Sequence, residues 1–177
     1  MVHSLPPRKR GYPTIPLVGL AEGSSLNALR HGGMTMHEAS LAVKFIREKH
    51  NDPFALANPE LVTDGTDAFL KTETDLVRIK DRQAAFQEVL RDHLRPLILG
   101  DDGYVERYRL FDDPEIVIDP RFNSGRPSFA DSMIPVFPIV GALQAGDGRH
   151  AIAEDFDIPV EQVAFVEQHR ERFALIA

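Results

Sequence analysis

The stretch AIAEDFDIPVEQVAFVEQHRER, residues 151–172, decides how the end of this chain folds. Its apolar residues recur at the spacing of two helices separated by a short turn, the pattern of a helix-turn-helix. Such a pair needs a small residue where the helices nearly touch, and Ala153 supplies it. The turn needs a residue that tolerates left-handed backbone; Asp157 stands where glycine is usual. Pro159 opens the second helix at the position where a missing N–H costs nothing. Ile152, Phe156, Ile158, Val163 and Val166 then fall on the inward faces.

The outward face carries Pro159, Val160, Glu161, Ala164, Phe165 and Gln168. Base readout draws on Arg or Lys for guanine and Asn or Gln for adenine, so only Gln168 suits a DNA groove. Val160, Ala164 and Phe165 instead form an apolar patch of the kind that meets protein. Arg149, Arg170 and Arg172 are the cations placed to touch a DNA backbone, but three arginines among eight acids make a poor electrostatic footprint, and Glu161 and Glu167 would face a phosphate-rich groove unfavourably.

The charge is unevenly spread. The 177 residues carry a formal net charge of −7. Residues 1–50 hold seven Lys or Arg against three acids, whereas residues 131–177 hold three Arg against eight acids. Phosphate binding depends on clustered cations, so a DNA-binding role falls to Arg8, Lys9, Arg10, Lys44 and Arg47. No apolar run approaches the roughly 20 residues of a membrane span. The basic start lacks the apolar segment of an export signal, and there are no cysteines; a cytoplasmic protein is expected.

Residues 1–16, with four prolines, read as an extended arm. Leu17, Leu20, Leu26 and Leu29 space a helix over 17–31 that stops at HGG. Thr35 and Glu38 form a capping box for the next helix, with Met36, Ala39, Leu41, Ala42, Val43, Phe45 and Ile46 apolar and Lys44, Arg47, Glu48 and Lys49 wet. Residues 59–80 look β-like, with a tight turn at Asp64-Gly65 and strand character in LVRI. A helix follows over 81–95, then a hairpin around Asp102-Gly103 and a short strand in PEIVIDPRF. Helices are expected at 138–145, at 148–156 with Asp147 as cap, and at 159–172.

The fold class is therefore α+β: an arm (1–16), a mixed helical and β-hairpin domain (17–115), and a small three-helix, helix-turn-helix-like domain (116–177). The seven histidines show no metal spacing, no phosphate-cradling glycine motif or nucleophile elbow occurs, and neither a catalytic residue nor a cofactor is expected.

The segment from Ile116 onward resembles the domain of unknown function 433. The matching features are Asp119-Pro120-Arg121, Gly125-Arg126-Pro127, Ile134-Pro135-Val136, Ala145-Gly146, and Ile152-Ala153-Glu154-Asp155-Phe156 through Val163. Upstream, LNALRHGGMTMHEASLAVKFIREKHNDPFALANPELVTDGTDAFL is similar to the middle of longer proteins resembling VapB-type antitoxins. The resemblance implies an antitoxin that neutralises a PIN-domain ribonuclease toxin, forms a homodimer and represses its own operon by binding operator DNA. It makes Val160, Ala164, Phe165, Arg126, Arg170 and Arg172 the expected toxin- or dimer-binding residues. Two departures stand out. The longer relatives begin with a MerR-like winged domain where this chain has only the arm, and their GTR turn is Asp131-Ser132-Met133 here. The alternatives are a DNA-binding regulator without a toxin and a stand-alone dimerisation module.

Overall fold

The structure, a computed structural model, describes residues 2–6, 15–73, 76–81 and 83–174. The chain divides into two compact units, Met1–Glu106 and Arg107–Ala177. Arg8, Lys9 and Arg10, and with them most of the expected arm, lie outside the described residues.

The first unit is built on helices α1 (Leu17–His31), α2 (Met36–His50), α3 (Pro59–Thr72), α4 (Val77–Lys80) and α5 (Gln83–Leu94), followed by strand β1 (Leu97–Leu99). The capping box of α2 forms as its sequence dictates: Thr35 Oγ1 accepts from the Glu38 N–H, and the Glu38 carboxylate accepts from the Thr35 N–H. Asn51, in left-handed backbone, ends the helix. α2 packs on α3 and α1 on α5. Their shared core holds Ala28, Leu29, Ala42, Ile46, Val62, Phe69, Phe86 and Leu90.

The β reading of residues 59–80 is wrong. Asn58 caps a helix by accepting from the N–H groups of Glu60 and Leu61, and Pro59 occupies its first turn. Gly65 is no turn residue: it is buried mid-helix, where a Cβ would come within 2.7 Å of the Ile46 side chain. Glycine is there because α2 and α3 approach closely, not because the chain reverses. LVRI forms α4 rather than a strand.

Two helix faces also differ from expectation. α1 buries a small-residue face of Gly19, Ala21, Ser25 and Ala28 with Leu29, leaving Leu17, Leu20 and Leu26 partly exposed. On α2, Met36 and Leu41 are exposed, so the buried stripe narrows to Ala39, Ala42, Val43 and Ile46.

Strands β2 (Val105–Asp112), β3 (Glu115–Ile118) and β4 (Ser128–Phe129) follow, and the sheet order is β1-β2-β3-β4. β3 is antiparallel to both neighbours, with Arg109 opposite Val117 and Ile116 opposite Phe129. It is thus a central strand, which suits its Ile-Val-Ile run. Helices α6 (Val136–Ala145), α7 (Arg149–Phe156), α8 (Val160–Gln168) and α9 (Arg170–Ala174) complete the second unit. The single helix expected over 159–172 breaks at His169, so the helical part gains a short fourth member. α7 begins after Gly148, and Asp147 does not cap it; Pro159 is the N-cap of α8 rather than its first residue. Ile116, Phe129, Val136, Ile139, Ile152, Val163, Val166 and Phe173 form one core between sheet and helices. Among the described residues no helix is long and apolar enough to cross a membrane.

Candidate protein-binding surface

The loop that leaves β3 is the most constrained backbone in the second unit. Asp119 is 2% exposed and is held three ways by Arg121: the backbone N–H (2.9 Å) and Nε (3.0 Å) donate to Oδ1, and Nη2 (2.7 Å) donates to Oδ2. The hydrogen bonds from the Arg121 guanidinium keep the Asp119 carboxyl below its ordinary value, outweighing the burial that pushes the other way. Beyond this anchor, Asn123, Ser124 and Gly125 are all left-handed (φ 49°, 57° and 73°), and so is Met133 (φ 56°) across the loop. Asn123 Nδ2 donates both to Ser128 Oγ (2.8 Å) and to the Met133 carbonyl (2.7 Å). The Val136 N–H donates to the Pro127 carbonyl, closing the loop onto the start of α6. Left-handed backbone costs a residue with a side chain roughly 1–2 kcal/mol, so this geometry persists only because the surrounding bonds fix it.

What the loop displays is apolar and cationic. Phe122 and Phe137 are 45% and 46% exposed. The Arg121 guanidinium carbon lies 5.9 Å from the Phe122 ring centroid, and that of Arg126 lies 5.0 Å from the Phe137 centroid. Arg126 is exposed and, among the described residues, has no carboxylate partner.

The helix-turn-helix-like segment is assembled much as its sequence indicates. Asp157 takes left-handed backbone (φ 51°, ψ 50°) between α7 and α8, and Ile152, Ile158, Val163 and Val166 are buried. Its outward face departs from expectation. Phe165 is half-buried, edge-on to Phe111 (ring centroids 5.0 Å apart) and stacked on His169 (4.2 Å). Arg172 lies over the same Phe111 ring at 4.8 Å. Phe165 is therefore engaged within its own unit, and the expected free patch shrinks to the partly exposed Val160 and Ala164. Arg149 is bonded to Glu167, while Gln168 and Arg170 are exposed. A single Arg tied to a Glu is a poor footprint for a DNA backbone.

The basic residues of α2 divide. Lys44 is exposed beside Glu48 (3.8 Å). Arg47, expected on the wet face, turns inward: Nη2 donates to Oε1 of Glu22 at 2.9 Å, and that carboxylate side chain is fully buried. His3 binds the same carboxylate through its N–H (2.6 Å) and its ring Nδ1 (2.6 Å) and packs against Phe54. The sequence reading missed both His3 and Glu22 as structural residues, since a lone Glu among small residues gives no sign of burial. No group of three or more His, Cys, Asp or Glu among the described residues is placed to hold a metal ion.

Residues 116–166, which include the constrained loop, α7, the turn and most of α8, match the family described as "Protein of unknown function (DUF433)". The chain is similar to a curated protein of Mycobacterium tuberculosis named "Putative antitoxin VapB45", 28% identical over 178 residues, covering 92% of this chain and 74% of the relative. A solved structure, the X-ray crystal structure of Rv2018 from Mycobacterium tuberculosis, superposes with a TM-score of 0.70 at 26% identity, covering 92% of this chain and 83% of that one.

Proposed function

We propose that this protein is the antitoxin of a type II toxin–antitoxin pair, acting by binding rather than by catalysis. Its partner is a PIN-domain ribonuclease encoded in the adjoining reading frame, and it binds that partner as a homodimer that also takes part in repressing the shared operon. The observation that carries this reading is the similarity to an antitoxin-named relative across 92% of the chain, both units included. A likeness confined to the DUF433 domain would have carried much less, because folds and small domains are reused for unrelated roles. The second unit adds physical support: twelve acids against seven arginines disfavour a nucleic-acid face there, while the exposed Phe and Arg side chains favour polypeptide.

The test is co-expression. Inducing the adjoining frame alone is expected to arrest growth of a host strain, and inducing this chain with it to relieve the arrest. A harmless adjoining frame, or an arrest that this chain leaves unchanged, contradicts the proposal. Repression is a separate measurement: retention of the upstream DNA by the purified complex, weakening steeply with salt.

A further inference from the structure

We infer that the loop carrying Phe122 and Arg126, together with Phe137 at the start of α6, is the surface that docks the partner protein, and that the face it fits bears carboxylates. The inference rests on the antitoxin reading above and names where, and by what chemistry, the toxin is held.

Three independent observations converge on this loop. Its backbone is rigid and unusual: four residues in left-handed conformation, with Asn123 spanning from Ser128 to Met133. Such a loop is ordered before any partner arrives, which removes the entropy cost of ordering it on binding. It holds two large aromatic side chains nearly half exposed, each with an arginine nearby. Aromatic rings and arginine are the residue types that dominate protein–protein binding energy. The charges then select the partner. Arg126 is a solvent-facing cation that, among the described residues, has no carboxylate partner, in a unit where acids outnumber arginines twelve to seven. The Phe137 ring holds the guanidinium by cation–π contact, leaving its N–H groups to a bidentate carboxylate. Arg121 differs: its guanidinium is committed to Asp119, so it braces the loop. A nucleic-acid backbone would meet a unit with an excess of acids, whereas a carboxylate-bearing protein face meets a cation beside apolar rings.

The test measures binding of the purified full-length chain to the PIN ribonuclease of the adjoining frame, by titration calorimetry at two salt concentrations. Arg126→Glu and Phe137→Ser alter exposed side chains, and each is expected to weaken binding at least tenfold while the circular dichroism spectrum stays that of the wild type. Glu154→Ala, on the exposed side of α7, is expected to bind as wild type does. The salt dependence of wild-type binding should flatten in Arg126→Ala. Wild-type affinity in both loop variants overturns the inference while leaving the antitoxin reading intact. Loss of self-association or of upstream DNA retention with unchanged toxin affinity also overturns it, assigning the surface to a second copy or to DNA. A wild-type chain that neither binds the ribonuclease nor relieves its toxicity overturns both.

Discussion

The side-chain amide of Asn123 donates to the main-chain carbonyl of Met133 at 2.7 Å, joining two left-handed residues ten positions apart. The same amide reaches Ser128 Oγ, whose hydroxyl in turn donates to the Arg126 carbonyl at 3.1 Å. One exposed asparagine therefore sets the path of the backbone that presents Arg126.

Asn123→Ala removes both of these bonds and places alanine at φ 49°. Two lost hydrogen bonds and the left-handed penalty together predict destabilisation of about 2 kcal/mol. Asn123→Gly should cost less, because glycine relieves the backbone strain while still losing the bonds. Urea unfolding of the pair checks the order, and equal losses would contradict the account.

Arg47 pairs with the fully buried carboxylate of Glu22 and is itself only a quarter exposed, which takes it out of the expected DNA face. Removing one partner of such a pair is expected to cost about 3 kcal/mol, and replacing both by neutral residues to cost less than that single removal. Arg47→Ala should therefore be more damaging than Glu22→Gln combined with Arg47→Met. A stability-neutral Arg47→Ala that lowers DNA affinity would instead return Arg47 to the phosphate-binding role.

Two glycines of α1 give a matched comparison. A Cβ at Gly19 would lie 2.3 Å from the His3 carbonyl oxygen, whereas nothing lies within 4 Å of one at Gly23. Gly23→Ala is predicted to stabilise by about 1 kcal/mol through helix propensity. Gly19→Ala should destabilise and speed proteolytic removal of residues 2–6. Stabilisation by both would mean that the His3 contact with α1 does not form in solution.

The depressed Asp119 carboxyl has a signed consequence. Its folded value lies below the ordinary 3.8, so the stability it contributes is full above that value and is lost as pH falls through the lower folded one. Arg121→Leu removes the main cause of the depression and should make the second unit unfold at higher pH on acid titration. An unchanged acid transition would show that Arg121 does not hold the carboxylate.

Much of this was legible in the sequence where a local rule had no competitor. Thr35 and Glu38 cap α2 because their three-residue spacing brings each side chain to the other's backbone N–H, and Asp157 takes the left-handed turn that its neighbours Phe156 and Ile158 disfavour. Residues 59–80 misled because an Asp-Gly pair signals a turn only when glycine serves the backbone. Gly65 serves a neighbour, Ile46, and that need is set by tertiary packing. The Asn58-Pro59 start was the available sign of a helix. Arg47 and Phe165 fell on outward faces by helical spacing, yet each has a partner far away in the chain, Glu22 and Phe111. Periodicity gives the direction of a side chain from its own helix and nothing about what waits there. The loop at Asn123 was hidden for a similar reason: Asn123 and Gly125 are types that accept left-handed backbone, but that Ser124 joins them, and that Asn123 reaches Ser128 and Met133, is set by tertiary contacts.

The central claim is that the second unit meets polypeptide through the loop between β3 and α6. Amide hydrogen exchange of the full chain, alone and saturated with the adjoining-frame ribonuclease, tests it most directly. The account predicts slowed exchange concentrated in residues 119–137, with α1 to α5 little changed. Protection confined to the first unit, or to α7 and α8 with residues 119–137 exchanging as in the free protein, would contradict it.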